Sequence, residues 1–194
     1  MTPEDVVAAL HADDWPQADR ERGHRAAALA VAVYNGVTRD QGTPYLLHPV
    51  AVAEIVRDDA RLDRPDLLVV AVLHDALEIR PDHEHRIARG LGQACTAALR
   101  ALTPDHRLVG RRRGPGDDDA YQRKVCALPD GLLTVKLADR LHNLRDLLTS
   151  SAPGRADRFL AQLTGFYLPL ADRRAADNPA IDALARLLRS DLPS

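Results

Sequence analysis

Prolines divide this 194-residue chain into segments of helical length, and that punctuation limits what it can fold into. A proline has a fixed φ and no backbone N–H, so it opens helices well and interrupts them from within. Thr2, Pro3 and Glu4 make a helix start, and that helix ends near the turn Asp13, Asp14, Trp15, Pro16. The apolar spacing from Ala18 to Tyr34 is helical and stops at Asn35 and Gly36, which suit a left-handed C-terminal cap. Gly42, Thr43 and Pro44 form a loop leading to His48, from which a helix runs to about Asp58. Pro65 opens a helix carrying VVAVLHDALE, which Pro81 closes. A helix from His83 to Leu102, despite Gly90 and Gly92, ends at Thr103 and Pro104. Asp105 to Asp119, with RRRGPGDDD, reads as a loop, and the basic and acidic runs within it largely offset each other. Pro129 breaks the chain before another helix, and Pro153, Pro169 and Pro179 punctuate a helical C-terminal region.

The apolar residues are mostly Ala, Leu and Val, and aromatics make up only 4% of the chain, a balance that favours packed helices over sheets. With no internal repeat and no linker, the expectation is an all-α fold, one compact helical domain over residues 1–194. A net charge of −2 gives no whole-molecule attraction to nucleic acid or an anionic membrane, so an anionic substrate must be recruited locally. Cys95 and Cys126 provide neither a disulfide framework nor a finger spacing, which fits a reducing cytoplasm. The acidic N-terminus lacks an apolar run long enough for a signal peptide or membrane span. The expected setting is cytoplasmic, with a small-molecule partner and no nucleic acid or membrane; oligomeric state is not legible.

Four polar residues break the apolar pattern: His48 in LLHPVAVAEI, His74 and Asp75 in VLHDALE, and Asp139 in VKLADRLHN. Singly, His48 before Pro49 could cap a helix, His74 with Asp75 could be a surface pair, and Asp139 with Arg140 could be a solvated turn. Together they place four costly polar groups among aliphatic helices, and one divalent cation would satisfy all of them. Two nitrogen and two oxygen donors suit Mn²⁺ or Fe²⁺ better than a thiolate-rich structural zinc site. Glu78 lies four residues after His74 and three after Asp75, a helical spacing that returns it to the ligand face. It is the candidate to orient a water or take its proton. Asp139 and Asn143 share one helix face, while Leu133, Leu137, Leu144 and Leu148 form an apolar stripe on another.

The order His, His-Asp, Asp resembles the signature of the HD superfamily of metal phosphohydrolases. TRDQGTPYLLHPVAVAEIV, VVAVLHDALE and LLTVKLADRLHNLRDL resemble more narrowly the hydrolase domain of the RelA/SpoT homologues, over about Ala26 to Ala171. Members remove the 3′-pyrophosphate from ppGpp and pppGpp, and the overall length is most similar to the stand-alone small alarmone hydrolases. The resemblance implies a Mn²⁺ enzyme with His48, His74, Asp75 and Asp139 as ligands and Glu78 as the catalytic acid-base. It places Arg39 against the purine and Asn143 near the sugar and phosphate. By its place on roughly the same helix face, Lys136 is either a second such contact or an ordinary surface lysine, and Tyr167 either closes over the ribose or is a core aromatic with a satisfied hydroxyl. The chain departs from the family where it reads HDALEI. Ile79 stands in place of an aspartate, which leaves open slower hydrolysis, another phosphorylated nucleotide such as an adenine alarmone or NADPH, or a regulator with little turnover, unless Asp82 supplies the missing function. Tyr34 and Asp40 likewise stand where members carry a histidine and a cation.

Overall fold

The computed structural model describes residues 1–39, 41–148 and 155–193. The helices, in chain order, are α1 Pro3–Leu10, α2 Gln17–Tyr34, α3 Leu47–Glu54, α4 Pro65–Leu73, α5 Ala76–Ile79 and α6 Glu84–Leu102, followed by α7 Asp105–Leu108, α8 Asp117–Cys126, α9 Asp130–Leu148, α10 Arg155–Gln162, α11 Leu168–Ala175 and α12 Pro179–Ser190. Among the described residues the only β-type pairing is a single bridge between Thr38 and Pro44, so the all-α expectation holds. The expectations placed on Asp40 and Pro153 lie outside the described residues.

The helix starts follow local chemistry. The Thr2 hydroxyl accepts from the Asp5 amide while the Asp5 carboxylate accepts from the Thr2 amide, a reciprocal cap of the kind worth ~1 kcal/mol. Asn178 caps α12 by accepting from Ala180 and Ile181. Gly36 takes a φ of 72°, the left-handed conformation expected after α2.

Helix α4 is apolar on every side, and Leu67 through Leu73 are all buried, which makes it the central rod of the domain. It packs against α2, α3, α6 and α9. On α9, Leu133 through Asp139 are buried without a break, so this helix too lies inside, with α12 packed along it and α11 against α12. One continuous core runs from Val6 to Leu188. Because α3, α4 and α9 meet within it, polar residues on their facing surfaces are forced together.

Four expectations need correction. The helix opened at Pro65 does not continue through VLHDALE: it stops at Leu73, and Asp75 takes φ −95° and ψ 1° before α5 begins. The cause is local competition, because the His74 ring N–H occupies the Ala71 carbonyl that an unbroken helix would offer to the Asp75 amide. Pro169 does not end a helix. Leu168 donates five residues back to Leu163, and this wider π turn at Leu163–Tyr167 accommodates the proline ring and keeps residues 155–175 one helical run. Leu148, expected on the buried stripe, is 52% exposed at the last residue of α9, where the stripe has run past the core. The segment expected as a loop from Asp105 to Asp119 begins with α7, and its Asp117, Asp118 and Asp119 form the first turn of α8. The charges there offset each other as ion pairs, Arg111 with Asp117 and Arg113 with Asp118. Acidic side chains at the N-terminal end of α8 also complement its dipole.

Candidate active site

The break between α4 and α5 puts His74 and Asp75 on one point. His74 Nδ1 is 2.8 Å from the Ala71 carbonyl, which can only accept, so Nδ1 carries a hydrogen and Nε2 is the nitrogen that a cation could take in exchange for a proton. That Nε2 is buried with no hydrogen-bond partner. It lies 3.2 Å from Asp75 Oδ2 and 3.7 Å from Asp139 Oδ1. From α3, His48 brings Nε2 to 3.3 Å from Asp139 Oδ1 and 3.5 Å from Asp75 Oδ2. Lone pairs facing carboxylates repel unless a positive charge sits between them. Donors about 2.1 Å from a shared cation stand roughly 3.0–3.4 Å apart in octahedral or tetrahedral arrangements, close to the spacing seen here. The donor atoms of His48, His74 and Asp139 all fall within 4.8 Å of one another, and Asp75 closes the group through its contacts to both histidines. His48, His74 and Asp139 thus form a group that could hold a divalent cation, with Asp75 beside both histidines.

The two carboxylates are held from behind. Asp139 Oδ2 accepts from Lys136 Nζ at 2.9 Å and from Arg140 at 2.6 Å, while Oδ1 accepts from the Asn143 amide at 2.5 Å. Asp75 Oδ2 accepts from the Tyr45 hydroxyl at 2.7 Å. Tyr45 in turn stacks on Tyr34 at 5.5 Å and carries the Arg39 guanidinium 5.8 Å from its ring centre. Arg39 donates to Asn143 Oδ1 at 2.8 Å and pairs with Asp146 at 2.9 Å. His48, Asp75, Asp139, Glu78, Arg39, Lys136 and Asn143 line one cavity of about 300 Å³. Lys136 is not the surface lysine its spacing allowed, being 7% exposed and lying over the Tyr121 ring. Tyr167 lies in an adjoining cavity of about 200 Å³, behind Arg140, whose guanidinium sits 5.4 Å from its ring centre. Glu78 and Arg140 line both cavities.

The electrostatics repeat the demand for positive charge. Burial opposes ionising the Asp139 carboxyl, yet Arg140 and Lys136 hold it well below the usual carboxylate range. Burial likewise opposes charging His74, but Asp75 and Asp139 push its pKa from about 6.5 up to about 10 when no metal is present. Burial and repulsion from Asp75 raise the Glu78 carboxyl, against Lys136 and Arg107, whose Nε lies 3.3 Å from Glu78 Oε1. In the metal-free protein, His74 therefore contributes stability that is fully present below pH 6.5 and lost as the pH rises through about 10. A cation must displace that proton. Metal uptake at neutral pH is expected to release about one proton, and apparent affinity to climb toward alkaline pH. Titration calorimetry in buffers of different ionisation enthalpy measures the release, and buffer-independent heats would contradict the protonated state of His74.

Sequence reasoning passed over Tyr45, His142 and Arg107, and took Arg140 only as half of a solvated turn with Asp139. Tyr45 precedes His48 by three residues and His142 follows Asp139 by three, so helical spacing was a usable signal for both. Arg107 had none, because it meets Glu78 only through the packing of α7 on α5.

Fold and site together define a class: a helical domain with an internal candidate site for a divalent cation. A family profile described as HD domain matches residues 26–176, and the chain belongs to that family. It is 29% identical over 160 residues to the bifunctional (p)ppGpp synthase/hydrolase SpoT of Escherichia coli, covering 81% of this chain and 22% of that one. It is 30% identical over 147 residues to the guanosine-3′,5′-bis(diphosphate) 3′-pyrophosphohydrolase of Haemophilus influenzae, covering 75% of this chain and 21% of that one. The chain thus spans about a fifth of the length of these relatives. A solved structure of a metazoan SpoT ortholog shares the fold, with a TM-score of 0.70 and 21% identity over 91% of this chain and 97% of that one. No helix among the described residues is long and apolar enough to cross a membrane.

Proposed function

We propose that this chain is a metal-dependent hydrolase that removes the 3′-pyrophosphate of ppGpp and pppGpp, with residues 1–194 acting as one HD-type domain. The observation that carries the proposal is the convergence of His48, Asp75 and Asp139 in one cavity with Glu78, Arg39 and Asn143, with buried His74 against Asp75 and Asp139 behind it. The names of the Escherichia coli and Haemophilus influenzae relatives support the substrate class. Two imidazoles and two carboxylates favour Mn²⁺ as the cation. Once bound, it supplies Lewis-acid activation of water and of a phosphoryl oxygen.

The remaining roles belong to the chain. Glu78, at the cavity wall, takes the proton from the attacking water, and its raised pKa suits a group that must hold a proton transiently. The Asn143 amide nitrogen already donates to Asp139, and its oxygen accepts from Arg39, so Asn143 fixes the distance between cage and base-binding side. Arg39 and Tyr45 offer a planar cation and a ring against which a purine stacks. Lys136 holds Asp139 and adds positive charge on the phosphate side of the cavity. Tyr167 contacts the nucleotide only beyond Arg140, from the adjoining cavity.

Ile79 favours a second reading. Its side chain packs against the apolar core, and Asp82 is exposed and outside the residues lining the cage cavity, so Asp82 does not stand in for the family's second acid. On this reading the same cage serves another phosphorylated nucleotide, or binds nucleotide with little turnover. Assay of Mn²⁺-loaded protein on ppGpp, pppGpp, adenine alarmones and NADPH separates these possibilities. Release of pyrophosphate from the guanosine compounds is the expected result, whereas turnover of the others alone overturns the substrate assignment. Binding without turnover, with catalysis appearing in Ile79→Asp, establishes the regulator.

A further inference from the structure

His48 reaches the cage through Nε2 and leaves Nδ1 on the opposite side, 3.0 Å from Nδ1 of His142. The two rings meet edge to face with centroids 4.8 Å apart. His142 is one helical turn beyond Asp139, so α9 supplies both a ligand and the group behind a ligand from another helix. Two ring nitrogens at this separation share one hydrogen, and the contact therefore has two polarities. In one, His48 Nδ1–H donates to His142, and His48 Nε2 keeps its lone pair toward Asp75 and Asp139. In the other, His142 donates, and the hydrogen on His48 moves to Nε2, where it points at the same carboxylates. Only the first leaves His48 able to bind a cation.

A histidine ligand ordinarily donates its second N–H to a carboxylate, a carbonyl or water, and the first two, being acceptors only, cannot reverse this way. We propose that His142 is a positioning residue whose Nδ1 accepts from His48 Nδ1 and so fixes the tautomer of His48 that ligates the metal. The inference rests on the metal-site reading of His48, His74, Asp75 and Asp139.

The test is Mn²⁺ affinity of the full chain, measured by titration calorimetry, with metal-free thermal unfolding as a control. His142→Phe keeps a ring but removes the acceptor, and is expected to weaken Mn²⁺ binding by about 10–100-fold. His142→Asn places an amide oxygen where Nδ1 stood, accepts the same hydrogen, and is expected to recover affinity to within about threefold of wild type. If the phenylalanine variant fails to fold, His142→Ala serves in the same comparison. Equal affinity in wild type and His142→Phe overturns the positioning role while leaving the metal site standing. Equal weakening in the phenylalanine and asparagine variants also overturns it, since that pattern reports packing rather than hydrogen bonding. A wild-type chain that binds no Mn²⁺ overturns the metal reading and this inference with it.

Discussion

Replacing Asp139 by alanine is expected to remove bound metal and turnover together and to lower the melting temperature of the metal-free protein. Asp139 is 2% exposed and accepts from Lys136, Arg140 and Asn143 while facing both cage histidines. Without it, Lys136 remains 7% exposed beside Arg140 with its closest counter-charge gone. Breaking a buried ion pair by deleting one partner costs about 3–5 kcal/mol. For a chain of this size each kcal/mol moves the midpoint by about 2–4 °C, so a fall on the order of 10 °C is expected. Asp139→Asn separates the two effects, since it keeps the shape and an acceptor but loses the charge. Metal content by atomic absorption and thermal unfolding by circular dichroism provide the readouts. Full Mn²⁺ stoichiometry in Asp139→Ala would remove this residue from the ligand set.

The second large effect is the opposite in kind. Glu78→Gln is expected to lower the rate of pyrophosphate release by about 10²–10⁴-fold while Mn²⁺ stays bound, as for loss of a general base. The amide matches the carboxylate in volume and cannot take a proton. Glu78 is paired with Arg107 and makes no contact with the cage donors of the kind that holds Asp139 in place. Because burial and Asp75 raise its pKa, the wild-type rate is expected to fall on acidification at a pH above the usual carboxylate range. That acidic limb should vanish in the variant. A full rate in Glu78→Gln would end its assignment as base, whatever happens to the metal.

The four residues that converge were legible in the sequence because burying imidazole and carboxylate among Val, Leu and Ala is costly enough to need a reason, and such residues are visible as exceptions to a periodic pattern. Helix identity was legible for the same reason: proline and glycine act on the nearest few residues. What lay beyond reach was set by side-chain bonds, turn geometry and packing that residue types and spacing do not encode. His74 breaks its own helix through a side-chain bond to Ala71, and nothing in VLHDALE distinguishes that from an unbroken turn. Pro169 looked like a stop, but a π turn absorbed it. Lys136 could not be told from a surface lysine until Tyr121 and Asp139 were seen around it. Arg107 came to Glu78 through the packing of two one-turn helices, which leaves no trace in spacing.

The interruption at His74 and Asp75 also bears on how such a domain can diversify. Because the two ligands come from one break while His48 and Asp139 come from separate helices, the cage depends on how three rods pack and not on what joins them. The chain between Thr103 and Gly116, which lies outside those rods, bears Arg107 and Arg113 at the cavity beside Glu78. That stretch can therefore change in length or charge without shifting the three helices that bring His48, His74, Asp75 and Asp139 together, while altering the charges that face Glu78.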